Sequence, residues 1–550
     1  MRAIRRTILY SLLICLAGFA PASAAVLSST NIPLDSPVYG YLDKLAGFGL
    51  ITSDIKGIKP FSKAEAARLL LEAEQRFEEG AEHSGFARQL MLRVRELIPR
   101  EVALRQFPDK KVPFIDYNPV SSLRLRYVHL DGAPRNYERP VHDPGDDGVF
   151  GIGSGLRPRN PYPSPATQRG SEGTPLAENN NGVVYRQGHN GELRWAAEGY
   201  VSDKAAALLE PVVGYSHSDS DTSLKLNRGY LKLGGDWLEL EAGKDENWLG
   251  LGYRGAITLS NNAENFTLVK LSSPEPFSVP YIGEMKYALI GSRFEKSVTD
   301  GAERQPWFYA LKLSVKPTDG LEIGFNLGRQ VGGPGVDNSF GDIMRGLIGG
   351  TNADNSNGLA GFEVRYRIPW LRNTELYGEF SGEDTASFWP IVESYLAGVY
   401  VPRLTADGRN DFRFEFFQGN QILYTNGTFP QGYLYKNLPV GHSQGGATQD
   451  FFARYSHWFS TRNNLALEYI YTNRGMAGRV RVNGSGQYDP NGVKQAIERK
   501  HAGRVSWAMP LYGDADAKLL YGVEKTTNLN LVGGAERTNQ LFVFELRYRY

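Results

Sequence analysis

The last ten residues, Leu541 to Tyr550, read L-F-V-F-E-L-R-Y-R-Y. Side chains alternate faces along a strand. Phe542, Phe544, Leu546, Tyr548 and Tyr550 therefore share one side, and Val543, Glu545, Arg547 and Arg549 the other. A strand with a nearly all-apolar face and a charged face needs two different surroundings. In a water-soluble sandwich the apolar face meets a core and the charged face meets water. In an outer-membrane barrel the apolar face meets lipid and the charged face lines a wet lumen. One segment suits either, so the rest of the chain has to decide.

The alternation returns along most of the chain. Leu123, Leu125 and Tyr127 alternate with Arg124 and Arg126, and Phe362, Val364, Tyr366 and Ile368 with Glu363, Arg365 and Arg367. Phe412, Phe414 and Phe416 alternate with Arg413 and Glu415. Strands are predicted to begin near 121, 191, 206, 223, 236, 266, 285, 305, 321, 359, 374, 395, 411, 449, 464, 500, 516 and 539, about eighteen in all. An even number suits a single-chain bacterial barrel. The connections discriminate more sharply. Every second one is mostly short (202–205, 234–236, 316–320, 369–373, 460–463, 511–515), whereas the others include 131–190, 244–265, 330–358, 420–448 and 474–499. Short turns on one side and long loops on the other are the asymmetry of outer-membrane barrels, and a soluble multi-sandwich gives no reason for it. The predicted fold is an all-β transmembrane barrel of about 18 antiparallel strands over 120–550, with both termini on the short-turn, periplasmic side. A last strand ending on an aromatic also resembles the C-terminal signal of such proteins. The segment 272–284 is long for a periplasmic turn and stands out against the pattern. The 62 glycines and 12% aromatics agree with a β-rich chain.

Residues 1–24 read as a secretory signal peptide: Arg2, Arg5 and Arg6, an apolar run from Ile8 to Phe19, and an Ala22-Ser23-Ala24 cleavage site. Cys15 is the only cysteine and lies inside that segment, so the mature chain has neither a disulfide nor a thiolate to use. From Ala25 to about 105 the spacing turns helical. Ser36 is placed to cap a helix whose apolar positions are Val38, Tyr41, Leu42 and Leu45. Ser62 and Glu65 form a capping box ahead of Ala66, Leu69, Leu70, Ala73 and Phe77. Phe86, Leu90, Val94 and Leu97 mark a third helix, stopped by Pro99. The expectation is a periplasmic helical bundle over 25–105, sitting under the barrel. Its Y-L-D-K-L-A-G-F-G-L-I and K-P-F-S-K-A-E-A-A-R-L-L stretches resemble an S-layer-homology-like helix pair of the kind that holds cell-wall polymers, although helix packing alone explains the same pattern.

The formal charge of +1 gives no reason to expect nucleic acid. The densest functional stretch is Gly243 to Asn265, where Trp248, Tyr253, Arg254, Ser260, Asn261 and Asn262 fall among glycines. Flat aromatics beside amides and charged groups suit a sugar, whose apolar face stacks on a ring while its hydroxyls are hydrogen-bonded. The competing and favoured reading is a glycine-rich loop folded into the lumen, with Trp248 filling space and the polar run closing backbone hydrogen bonds. Gly441-His442-Ser443 beside Asp450 invites a Ser-His-Asp reading. No nucleophile elbow accompanies it, and adjacent side chains on a strand diverge, so no enzyme is expected. His217, in H-S-D-S-D, fits no metal or calcium spacing.

The helical segment, the W-L-G-L-G-Y-R-G-A-I-T-L-S-N-N-A block and the V-G-H-S-Q-G-G stretch resemble the Wzi family of outer-membrane capsule-assembly proteins. The resemblance spans essentially the whole mature chain, and departs at Trp248-Leu249 from a fuller Trp-Trp-Gly-Pro-Gly form. It implies an eighteen-stranded barrel with a periplasmic bundle and a lectin-like role. The protein would bind exported capsular or extracellular polysaccharide at the surface of a Gram-negative cell and help to assemble and attach the capsule. The expected site is Trp248, Tyr253, Arg254, Ser260, Asn261, Asn262 and His442, carried by long extracellular loops. No metal or cofactor is expected. The expected partners are the polysaccharide, outer-membrane lipid and the polysaccharide-export machinery, with the chain a monomer. The alternative is an outer-membrane porin or solute channel whose N-terminal module contacts the cell wall.

Overall fold

The computed structural model describes residues 27–549 except 110, 146–151, 153, 219, 300–301, 337–338, 348–355 and 387–388. The signal segment and Tyr550 lie outside the described residues. Eighteen strands close into one antiparallel barrel. They are β1 Ile115–Asp131, β2 Gly188–Val201, β3 Ala205–Ser216, β4 Asp221–Gly235, β5 Leu238–Lys244, β6 Thr267–Ser272, β7 Gly283–Arg293, β8 Trp307–Thr318 and β9 Leu321–Val331, followed by β10 Ser356–Ile368, β11 Thr374–Ala386, β12 Trp389–Val401, β13 Asn410–Gly419, β14 Thr448–Ser460, β15 Asn463–Arg474, β16 Glu498–Tyr512, β17 Ala515–Thr527 and β18 Glu536–Arg549. The ring closes between the first and last strands, from Ser122 opposite Arg549 to Asp131 opposite Gln540.

Period-two alternation decides which way each side chain points. On β10, Phe362, Val364 and Tyr366 are exposed on the outer wall, while Glu363, Arg365 and Arg367 are buried inside. Two strands start about six residues before the alternation suggests, and proline accounts for both. Pro119 lies in β1 where the register against β2 shifts, between Asn118 and Ser122, and Pro390 lies at the start of β12. A residue with no N–H interrupts the ladder and masks the strand ahead of it. The long turn 273–282 is not irregular, because Phe277–Val279 folds back onto the start of β7, pairing Phe277 with Met285 and Val279 with Gly283.

The N-terminal module has four helices rather than three: α1 Pro37–Gly47, α2 Lys63–Glu78, α3 Gly85–Leu97 and α4 Pro99–Gln106. Pro99 ends α3 and also begins α4, where a missing N–H costs nothing. Ser36, Ser62 and Ser84 cap the first three through the amides of Val38, Glu65 and Ala87. Their apolar faces share one core, with Leu45, Leu69, Leu90 and Val94 fully buried and Trp458 of β14 joining it.

The module is anchored at the short-turn end and reaches into the lumen. Asn373 donates to Gly47, Arg93 pairs with Asp514, and Lys44 donates to the carbonyls of Pro402 and Gly408 while pairing with Asp411. Deeper in, Asp54 pairs with Lys316 (3.0 Å), Arg365 (3.2 Å) and Arg367 (2.7 Å). Glu322 of β9 accepts from the amides of Lys56 and Gly57. A buried charge is tolerable only when paired, and here the N-terminal segment and the barrel wall supply each other's partners.

Candidate functional site

Loop 245–266 turns inward from the long-loop end, so its backbone amides need acceptors inside the barrel. Two lumen carboxylates provide them. Glu379 of β11 accepts from Leu251, Gly252 and Ile257 at 2.8–2.9 Å. Glu415 of β13 accepts from Tyr253 (2.7 Å) and Arg254 (3.0 Å), and from the Tyr377 hydroxyl. The close approach explains the glycines. A Cβ on Gly255 would collide with the His442 ring, and one on Gly250 with the Glu379 carboxylate. Two further residues of the loop hold the N-terminal segment. Asp245 pairs with Arg228 and accepts from Asn31, while Glu246 accepts from the Leu34 amide (2.7 Å) and from Asn181 (2.6 Å). Burial pushes the Glu246 carboxyl up to about 7, with Arg228 opposing and Asp35 and Asp245 adding to the rise.

Four of the seven nominated residues meet around one chamber of about 510 Å³ between α1, loops 132–187 and 245–266, and the wall from β12 through β18 to β1. Trp248 lies opposite Lys59 in a two-residue ladder, with the ammonium 5.8 Å from its ring centre. Among the described residues its indole N–H has no hydrogen-bond partner. Tyr253 stacks on Phe452, and the Arg413 guanidinium sits between its ring (4.4 Å) and that of Tyr400 (3.9 Å). Arg254 pairs with Asp450 (2.6 Å) and Glu178, and Asn261 completes this side of the wall.

The other three do not reach the chamber. Ser260 donates to the Gly441 carbonyl and Asn262 to that of Pro439, tying loop 245–266 to loop 420–447. His442 is fully buried and stacked on Phe417, with ring centres 3.7 Å apart. Burial drives its imidazole down to about 3, so it is neutral at physiological pH. Asp450 is engaged by Arg254 and Thr472, and among the described residues no hydrogen bond joins His442 to Ser443 or to Asp450. A Ser-His-Asp relay is not assembled. The seven residues lie in the barrel interior, not on an outward-facing loop. The sequence reading overlooked Lys59, Tyr400, Arg413 and Trp458. The strand residues among them could have been found as inward positions, but nothing local marks Lys59.

A family model described as capsule assembly protein Wzi matches residues 157–541. A Klebsiella pneumoniae protein described as an uncharacterized 55.8 kDa protein in the cps region is 24% identical over 248 residues, which are 43% of this chain and 46% of that protein. The match thus spans about half the length of that curated relative. Among solved structures, the fold is similar to that of Wzi from Escherichia coli, described as an outer membrane protein involved in group 1 capsule assembly and a carbohydrate binding β-barrel. The TM-score is 0.63 at 16% identity, covering 96% of this chain and 100% of that one.

Proposed function

This chain belongs to the Wzi family of capsule assembly proteins, and from that premise we propose that it is a lectin-like outer-membrane barrel that binds exported capsular or extracellular polysaccharide and helps to attach it to the cell. The short turns and helical module face the periplasm and the long loops face the surface. The polysaccharide-export machinery is the natural neighbour, and the chain works as a monomer. The observation that carries the binding role is the chamber wall. Trp248, Tyr253, Asn261, Arg254 and Arg413 line it together, aromatic and polar groups of the kinds that meet a sugar's apolar face and its hydroxyls. Ser260, Asn262 and His442 act as scaffold, holding the loop that carries the rings.

Deleting the gene and measuring how polysaccharide divides between washed cells and medium tests this reading. Polymer that is still made but shifts into the medium, and returns to cells on complementation, supports it. An unchanged partition overturns it. Complementation with Trp248→Ala then asks whether the chamber is the binding surface.

A further inference from the structure

Three of the chain's eight histidines stand in one row on the outer wall. His129 of β1 lies directly across the ladder from His189 of β2. His217, one residue past the end of β3, continues the row, because its amide donates to the His189 carbonyl at 2.9 Å, beside the pair Asn190 and Ser216. Side chains alternate faces, so His129 shares the side of exposed Leu123, Leu125 and Tyr127. The backbone bond to His217 commits the His189 main chain to β3. The His129–His189 pair is then of the non-hydrogen-bonded kind, in which side chains stand closer. The rings agree, with centres 4.7 Å apart for His129 and His189 and 6.3 Å for His189 and His217.

The ring nitrogens differ in what they meet. Nδ1 of His189 and the Tyr127 hydroxyl are hydrogen-bonded at 2.6 Å. With Nδ1–H donating to that oxygen, the Nε2 lone pair is left for another partner. Nδ1 of His129 is buried and has no hydrogen-bond partner among the described residues. Aromatic packing does not account for the row. Phe542 of β18, across from His129, already serves that purpose, whereas imidazoles directly across from one another repel whenever they are protonated. A metal ion removes that conflict, because imidazole is the commonest side-chain ligand and binds in its neutral form. Two imidazoles on one tetrahedral ion, with bonds of about 2.0–2.1 Å, place their ring centres on the order of 5 Å apart. The closer pair meets that spacing.

We propose that His129 and His189 form a surface site for a divalent transition metal ion such as Zn²⁺ or Cu²⁺, with Tyr127 orienting His189 and water completing the coordination. Imidazole ligands favour these ions over Ca²⁺ and Mg²⁺, which take oxygen. Among the described residues no group of three ligands is gathered round one point, so the site is open, and weaker than a closed four-ligand one. His129 and His189 also stand at the two stems of loop 132–187, whose Glu178 and Asn179 line the chamber. A bound ion pins the base of that loop. No spacing along the chain reveals the site, because its ligands meet only across the ladder.

The test uses the full-length protein in detergent, purified without a histidine tag, treated with a chelator and titrated with ZnCl₂ in a calorimeter. About one equivalent should bind. His129→Ala and His189→Ala should each weaken binding by at least about tenfold, and Tyr127→Phe by roughly 10- to 100-fold, as loss of an outer-shell partner does. His501→Ala is the control. His501 makes the same kind of bond to a tyrosine, Tyr469 at 2.8 Å, but stands across the ladder from Tyr471 and Lys525 rather than from a second histidine. Its loss should change nothing. Parental heat-modifiable mobility on gels shows that each variant has folded. Electron paramagnetic resonance of Cu²⁺ on the unsubstituted protein needs no variant, and should show at least two imidazole nitrogens on the ion. Absence of Zn²⁺ binding, binding that His189→Ala leaves intact, an equal loss in His501→Ala, or fewer than two nitrogens on Cu²⁺ overturns the proposal.

Discussion

Asp54 is the residue through which the N-terminal module is most firmly fixed to the barrel. It is buried, and its carboxylate pairs with Lys316, Arg365 and Arg367, two strands' worth of lumen cations. Burial alone raises its pKa, but the surrounding Arg365, Arg367, Lys316 and Lys56 outweigh that and hold the carboxyl well below the usual carboxylate range. Asp54→Ala removes the anion and leaves these cations sharing Glu322 and Glu375. Breaking one partner out of a buried ionic network costs about 3–5 kcal/mol. At about 1.4 kcal/mol per decade, the undocked population of the module rises by about 100- to 4,000-fold. The barrel, held by its own ladder, should survive. Native-state proteolysis reads this directly, because cleavage follows the open population when opening is fast. Cleavage within 48–57 should accelerate by about that factor in Asp54→Ala, while the heat-modifiable mobility of the barrel on gels stays as in the parent. The pH dependence has a definite sign. With its folded pKa depressed, Asp54 contributes stability that is present above about pH 4 and lost as pH falls through the lower folded value. Asp54 should therefore loosen the module only in acid. An Asp54→Ala protein cleaved at the parental rate, with the module still docked, would refute the network as the anchor.

Three further outcomes follow from the same contacts. Glu379→Ala strips acceptors from three buried amides of loop 245–266, at about 1–3 kcal/mol each, so hydrogen exchange at 250–257 should speed up markedly and polysaccharide binding should fall. Glu246, raised to about 7, contributes stability that is complete below its unfolded pKa of about 4 and lost as pH climbs through 7. Docking of residues 31–36 should accordingly be tighter at pH 5.5 than at pH 8 by hydrogen exchange, and Glu246→Gln should remove that difference. Because the described helices and loops occupy the lumen, the protein in planar bilayers should show no steady single-channel conductance, and a stable open level would restore the channel alternative.

Much of the barrel was legible because its signals are local. Inward Glu363, Arg365 and Arg367 and outward Phe362, Val364 and Tyr366 are separated by a period of two, which any strand must obey. The serine caps act over two or three residues. The readings that slipped did so where local chemistry is ambiguous. Pro99 can end one helix or start another, and does both. Pro119 and Pro390 hide strand starts. The glycines and aromatics of Gly243–Asn265 marked a crowded loop, and left open whether its rings face outward or inward.

By itself, then, the sequence determined an eighteen-stranded barrel with lipid-facing and lumen-facing sides and a helical N-terminal module. Only the tertiary structure decided what fills the lumen. Asn31 meets Glu241, Lys44 meets Asp411, Lys59 meets Trp248, and Glu379 meets Gly252. These partners are more than a hundred residues apart in sequence. Alternation says that a residue faces inward, but only closure of the barrel fixes which strand stands across from it. The chamber and the inward fold of the loop are both properties of that closure.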